Sequence, residues 1–265
     1  MRNRKHLKER LKDGEVVIGT WCILPSTSVV NVIGSSGFDF VIIDMEHGPH
    51  TFQTVEEMIR AAEVENCTPL VRVAQNNEAL ILNALDIGSH GVVVPHIESK
   101  LDAQAAVSYA KYYPLGKRGF SPFTRAGRYS LDNVKNHGRL QNEKTLVTLM
   151  LEGKEGVENL EEILAIQGIK NKMDVIYIGV YDLSQSLGIP GQIDHPKVRK
   201  CLADCIKKIR SRGISAGGYV AKNKKDIAWM SDMGMQFITV LPDSAVIFQA
   251  FKSIYSDFCK IKPHL

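Results

Sequence analysis

The sequence predicts a (β/α)8 barrel, and three observations predict it. Short β-branched apolar runs recur eight times along 265 residues, each followed by a stretch of helical pattern. The runs are continuous rather than alternating, as expected for parallel strands buried on both faces. Several end in a carboxylate, an imidazole or a guanidinium, where a barrel of this kind places its functional groups. The rival is a doubly wound sheet, which would ordinarily need a glycine-rich phosphate turn after its first strand. Here that turn is Leu24-Pro25-Ser26-Thr27 and holds no glycine.

The elements follow in order. The polar, amphipathic segment before Val16 is expected to form a short helix. Strand one is expected over Val16–Leu24, with a helix over Thr27–Ser36. Strand two, Phe38–Met45, leads to a helix over Thr54–Glu65 that opens near Thr51 or Thr54. Strand three, Pro69–Gln75, is followed by Asn76 and Asn77, which can cap a helix over Glu78–Ile87. Strand four is Gly91–Ile97, and Ser99 before Asp102 reads as a capping box for the helix over Leu101–Tyr112. Strands five to eight are expected over Thr145–Leu151, Val175–Tyr181, Ser215–Val220 and Gln236–Pro242. Their helices are expected over Val157–Ile166, Pro196–Arg212, Lys224–Met233 and Ser244–Tyr255. Gly88 and Gly213 stand where helices should stop. With no linker or low-complexity tract, residues 1–265 are expected to form a single barrel domain. Pro114 to Glu143 is too long for a simple connection. It contains Lys117, Arg118, Arg125 and Arg128, and reads as an active-site lid, an intersubunit arm or a solvated loop.

Composition narrows the function. The formal net charge is +4, with basic residues scattered apart from a cluster at Lys222–Lys225. Nucleic-acid binding is therefore not expected, whereas an anionic substrate is compatible. No apolar run approaches the roughly 20 residues of a membrane span. The N-terminal segment lacks a signal-peptide apolar region. Cys22, Cys67, Cys201, Cys205 and Cys259 make an odd number with no paired framework, which suits a reducing cytosol and a cytoplasmic location.

The strand ends carry the chemistry. Strand two closes in Asp44, Glu46 and His47, a candidate general base beside fixed carboxylates. Strand three carries Arg72 in an apolar run, fit to stabilise an oxyanion. Strand five ends in Met150, Leu151 and Glu152, and strand six in Gly179, Val180, Tyr181 and Asp182. Glu152 and Asp182 come from adjacent strands, so their carboxylates can share a cation. Oxygen-only donors favour Mg²⁺ or Mn²⁺, with Co²⁺ or Zn²⁺ as second choices. Open coordination positions would suit a 2-oxo acid, and the metal would stabilise an enolate as a Lewis acid. The competing imine route needs a desolvated lysine, and none of the eight runs contains one. His96, at the end of strand four, is within reach of the site or is a rim residue, and His50 reads as a loop residue.

These blocks resemble the HpcH/HpaI aldolases, metal-dependent enzymes that cleave or form 4-hydroxy-2-oxo acids through a pyruvate enolate. The resemblance runs from Phe38 through Glu46-His47-Gly48-Pro49, Val71-Arg72-Val73 and Leu85-Asp86-Ile87-Gly88. It continues through Gly91–Pro95, Tyr113–Gly119, Glu152 and Ile178–Gly188. It implies His47 as base, Arg72 as the group stabilising the transition state, and Asp86 as the aspartate that raises the basicity of the histidine. It implies Glu152 and Asp182 as metal ligands, and the backbone of Gly179–Asp182 as the seat of the pyruvate carboxylate. It further implies a homo-oligomer, hexamer or trimer, that swaps its last helix between subunits. The partners would be a 2-oxo acid and an aldehyde. The sequence departs from the family's pattern at Met150, where a glutamine usually binds substrate, at Val180-Tyr181, where a proline and a small residue are usual, and at His96, which replaces an apolar residue. A CoA-thioester lyase, a 2-oxo acid decarboxylase and a non-catalytic 2-oxo acid-binding relative are the alternatives.

Overall fold

The computed structural model describes residues 5–132, 134–168, 172–219 and 224–261. Eight parallel strands close into a barrel in sequence order, with β8 beside β1. They are β1 (Val17–Cys22), β2 (Phe40–Asp44), β3 (Thr68–Arg72), β4 (Gly91–Val94), β5 (Leu146–Leu151), β6 (Val175–Ile178), β7 (Ser215–Tyr219) and β8 (Met235–Val240). The fold is a (β/α)8 barrel, and the doubly wound alternative is excluded. Val220, expected to end strand seven, lies outside the described residues. The helices of the first half are α1 (Leu7–Lys12), α2 (Thr27–Ser35), α3 (Phe52–Val64), α4 (Glu78–Asp86), α5 (Lys100–Ala110) and α6 (Val134–Lys144). Those of the second half are α7 (Lys154–Glu158), α8 (Leu160–Leu164), α9 (Val180–Ser186), α10 (Pro196–Ser211), α11 (Lys224–Asp232) and α12 (Asp243–Ile261).

The start signals act as read. Ser99 Oγ accepts the amide of Asp102 at 3.2 Å, while Asp102 Oδ2 accepts that of Ser99 at 2.9 Å. Thr51 caps α3, and Asn77 rather than Asn76 caps α4, accepting the Ala79 amide at 2.9 Å. Such a cap contributes about 1 kcal/mol. Inside the barrel, Phe40 of β2 stacks on Phe237 of β8 with ring centroids 4.0 Å apart. The Phe40 ring fills the space over Gly19 of β1, where a Cβ would lie 2.2 Å from it. Glycine in β1 therefore decides how this floor packs.

The region Pro114 to Glu143 departs from expectation. Much of its second half is α6, a helix that buries His137 and Asn142 instead of an apolar stripe. The segment before it packs against the ends of α3 and α4: Arg118 donates to Asp86 at 2.6 Å, the Ala126 amide to the Asp86 carbonyl at 3.2 Å, and Arg125 pairs with Glu63. Helices of such a barrel return to the N-terminal ends of the strands, so this segment lies under the barrel. It is therefore not a lid over the mouth of its own chain. Leu7 and Leu11 of α1 are buried at the same end. There Lys8 Nζ and Lys111 Nζ donate to the Thr145 carbonyl at 3.0 and 2.7 Å.

Candidate active site

At the opposite, C-terminal end, β2 and β3 run in register so that Asp44 lies beside Arg72. The Arg72 Nε donates to Asp44 Oδ1 at 2.8 Å, and its second guanidinium nitrogen reaches Oδ2, making a bidentate pair. A third contact, 3.0 Å, runs from Arg72 to Glu46 Oε2, and the guanidinium lies over the Trp21 ring, 4.6 Å from its centroid. Burial works against the Arg72 charge, but Asp44, then Glu46 and Glu152, more than offset it and raise its pKa. Asp44 Oδ1 also accepts the amides of Glu46 and His47 at 3.0 and 3.2 Å. The same carboxylate thus holds the cation and ties down the loop that carries the imidazole.

Glu152, just beyond β5, is 3 % exposed. Its Oε1 accepts the backbone amide of His96 at 2.9 Å and lies 3.2 Å from His96 Nδ1. Burial raises the Glu152 pKa, and the Glu46 and Asp182 charges push the same way. Gly179 sits against it: a Cβ there would lie 2.6 Å from Glu152 Cβ and 3.0 Å from Met150 Cε. Only glycine lets the first turn of α9 come this close to β5. That close approach also turns the chain. β6 ends at Ile178, so Tyr181 and Asp182 stand on the first turn of a helix rather than on a strand, and both are exposed.

A cavity of about 460 Å³ opens here. Its lining includes Asp44, His47, Arg72, Met150, Gly179, Tyr181 and Asp182. Six of the eight expected site residues therefore line it directly, and Glu152 borders it through Gly179. Asp86 is the exception. It ends α4 under the barrel and is held by Arg118, so within one chain it stands at the opposite end from His47. Sequence reading missed Trp21, Tyr177 and Tyr219, which wall the cavity. Trp21 Nε1 and the Tyr177 hydroxyl both engage Thr239 Oγ1, at 3.0 and 2.6 Å. Their positions at or near strand ends were the available signal. No lysine is among the described residues lining the cavity. Among the described residues, no three His, Cys, Asp or Glu side chains already surround a point where a metal would fit.

Residues 18–250 match the HpcH/HpaI aldolase/citrate lyase family. The chain belongs to this family. It is 33 % identical over 253 residues to the pyruvate aldolase of Rhizobium etli, covering 96 % of this chain and 97 % of that one. It is 34 % identical over 237 residues to the 2-dehydro-3,6-dideoxy-6-sulfogluconate aldolase of Pseudomonas putida, covering 89 % and 90 %. Among solved structures, the citrate synthase SbnG superposes with a TM-score of 0.86 at 30 % identity, covering 97 % of this chain and 99 % of that one. Like its HpcH/HpaI relatives, the chain is an enzyme of the aldehyde-lyase kind. No described helix is long and apolar enough to cross a membrane.

Proposed function

We propose that the chain is a class II 2-oxo acid aldolase, which forms or cleaves a 4-hydroxy-2-oxo acid through the enolate of pyruvate or a close analogue. The observation that carries this reading is the convergence of a preorganised cation, an imidazole and a buried carboxylate on one mouth. Arg72 is fixed by Asp44 and Glu46 before any substrate arrives, so it stabilises a developing oxyanion without having to reorganise. His47, anchored through its main chain to Asp44, takes the proton of the substrate 4-hydroxyl in cleavage and returns it in addition. The backbone of Gly179–Asp182 receives the substrate carboxylate, with Met150 against the donor and Tyr181 toward the acceptor at the rim.

The donor set fits a divalent cation. Glu152 is buried with Oε1 engaged, and no hydrogen bond of the described residues ends on its Oε2. Asp182 is exposed one turn into α9. Glu152 and Asp182 would hold Mg²⁺ or Mn²⁺, which supplies Lewis acidity toward the keto oxygen when bound. Among the described residues lining this mouth there is no lysine for an imine mechanism. Burial lowers the Lys111 pKa to about 7, but that lysine is at the other end of the barrel.

The same reading makes the active enzyme a homo-oligomer, hexamer or trimer. Asp86 can raise the basicity of His47 only from a second copy whose lower face meets this mouth. α12 buries only Asp243, while Phe248, Phe251, Tyr255 and Phe258 form an exposed apolar stripe. Such a stripe marks an interface, and a swapped α12 from a second copy covers it. Light scattering should give a multiple of the chain mass; a monomer would overturn this part.

A second reading is favoured by the 30 % identity to a citrate synthase. Citrate formation or cleavage, with no turnover of any 4-hydroxy-2-oxo acid, would decide for it. The test of the leading reading is proton NMR of pyruvate and 2-oxobutyrate in D₂O with Mg²⁺ or Mn²⁺, with and without chelator. Exchange of the C3 protons that depends on the metal is expected. Its absence from a metal-loaded protein would overturn the pyruvate-type donor.

A further inference from the structure

We propose that the acceptor half of the cavity is shaped for an apolar aldehyde and selects against aldehydes that carry a carboxylate or several hydroxyls. The inference rests on the aldolase reading above and narrows its substrate class. Around the mouth, charged and apolar groups are sorted by strand. Asp44, His47 and Arg72 belong to β2, β3 and the loop after β2, and Asp182 to the first turn of α9. The ends of β7, β8 and β1 are consecutive in the closed barrel. They bring Tyr219, Leu241, Pro242 and Ile23 to the lining, and none of these carries a charge. His47 follows β2, whose neighbour on the side away from β3 is β1. A substrate whose 4-hydroxyl meets His47 therefore sends the rest of its C4 substituent along this apolar arc.

The arc is fixed before substrate arrives. The buried Asp243 carboxylate accepts the amides of Ile23 and Leu24 at 3.0 and 3.1 Å, and Thr20 Oγ1 donates to the Leu241 carbonyl at 2.6 Å. Both ties join the end of β1 to the segment that follows β8, and neither Thr20 nor Asp243 lines the cavity. The tyrosine hydroxyls nearby already have partners: that of Tyr219 engages Tyr181, and that of Tyr177 engages Thr239 at 2.6 Å. Among the described lining residues Arg72 is the one arginine or lysine, and it is committed to Asp44 and Glu46. A carboxylate on the C4 substituent would lose its water without gaining a counter-ion, and extra hydroxyls would lose theirs without gaining partners. Apolar carbons in the same place gain by leaving water.

The experiment is aldol addition of pyruvate by the metal-loaded full chain to two pairs of aldehydes matched in shape. One pair is 4-methylpentanal and succinic semialdehyde; the other is 2-methylbutanal and glyceraldehyde. Rates are referred to the free carbonyl form of each aldehyde, and C3 proton exchange of pyruvate is followed alongside. In each pair the apolar member should show kcat/KM at least about tenfold higher. Leu241→Asn, which sets an amide in the arc, should lower both ratios by about tenfold. Ile23→Thr is the second variant if the first does not match the wild-type melting profile. Equal or inverted ratios in the wild-type chain would overturn the proposal, and so would exchange without addition to either apolar aldehyde. A variant that loses both members of a pair in parallel would also overturn it, since the arc would then only support the fold. Absence of C3 exchange would overturn the aldolase reading itself, which separates the two failures.

Discussion

Asp44 is the residue on which the mouth is organised. Its two carboxylate oxygens hold Arg72 in a bidentate pair and accept the amides of Glu46 and His47. One buried group thereby sets both the cation and the base, and neither has to find its place after substrate binds. The roles remain separable. His47 sits in the cavity wall and makes no hydrogen bond or ion pair with Glu152, so its side chain can be removed without disturbing that carboxylate. For His47→Ala the expected result is a fall in kcat/KM of roughly 10²–10⁴, the usual worth of a positioned acid–base group. Metal affinity should stay at the wild-type value. Retained cleavage activity in steady-state assays would remove His47 from the mechanism, and lost metal binding would show that it acts through the metal site instead.

At the scale of elements, the sequence was legible wherever periodicity and capping agreed. Strand starts follow from β-branched runs, and Thr51, Asn77 and Ser99 marked helix starts because their side-chain oxygens have few other uses there. Two elements were not legible. α6 escaped because its buried side chains, His137 and Asn142, are polar and its apolar stripe is missing. The end of β6 escaped because Val180 and Tyr181 continue a strand-like composition, while a tertiary contact, Gly179 against Glu152, turns the chain into α9. That turn puts Tyr181 at the rim, its ring 5.4 Å from that of Tyr219. Both rings line the cavity. Tyr181→Ala should therefore leave C3 proton exchange of the donor within roughly threefold of wild type, while widening the range of aldehydes accepted. The expected gain is about tenfold in kcat/KM for bulkier ones, the scale of discrimination by apolar bulk. An unchanged aldehyde profile would show that the acceptor does not pass Tyr181. Asp86 shows the other limit of sequence reading. The residue matches the family's pattern, but topology places it under its own barrel.

Across the whole molecule, chemistry is gathered at one end of the barrel and an unusual cost of burial at the other. Lys111 is fully buried beneath β5, sharing the Thr145 and Asn142 carbonyls with Lys8, which pairs with Asp174 at 3.1 Å. Burial pushes the Lys111 ammonium down to about 7 from its ordinary 10.5; Lys8 and Lys12 push the same way and Asp174 opposes them. Between those two values the unfolded chain holds a proton that the folded chain does not. Stability must therefore rise with pH across this window, with the cost of the buried charge fully present below about pH 7. In Lys111→Met the carbonyls keep Lys8 as donor, at 3.3 and 3.0 Å, and the titrating group is gone. Denaturant unfolding at pH 7.5, 8.5 and 9.5 should then show wild-type stability climbing more steeply than that of the variant. The difference in slope should reach at most about 1.4 kcal/mol per pH unit, one proton's worth. Parallel slopes would mean that Lys111 stays charged in the folded barrel, with Asp174 serving both lysines as counter-ion.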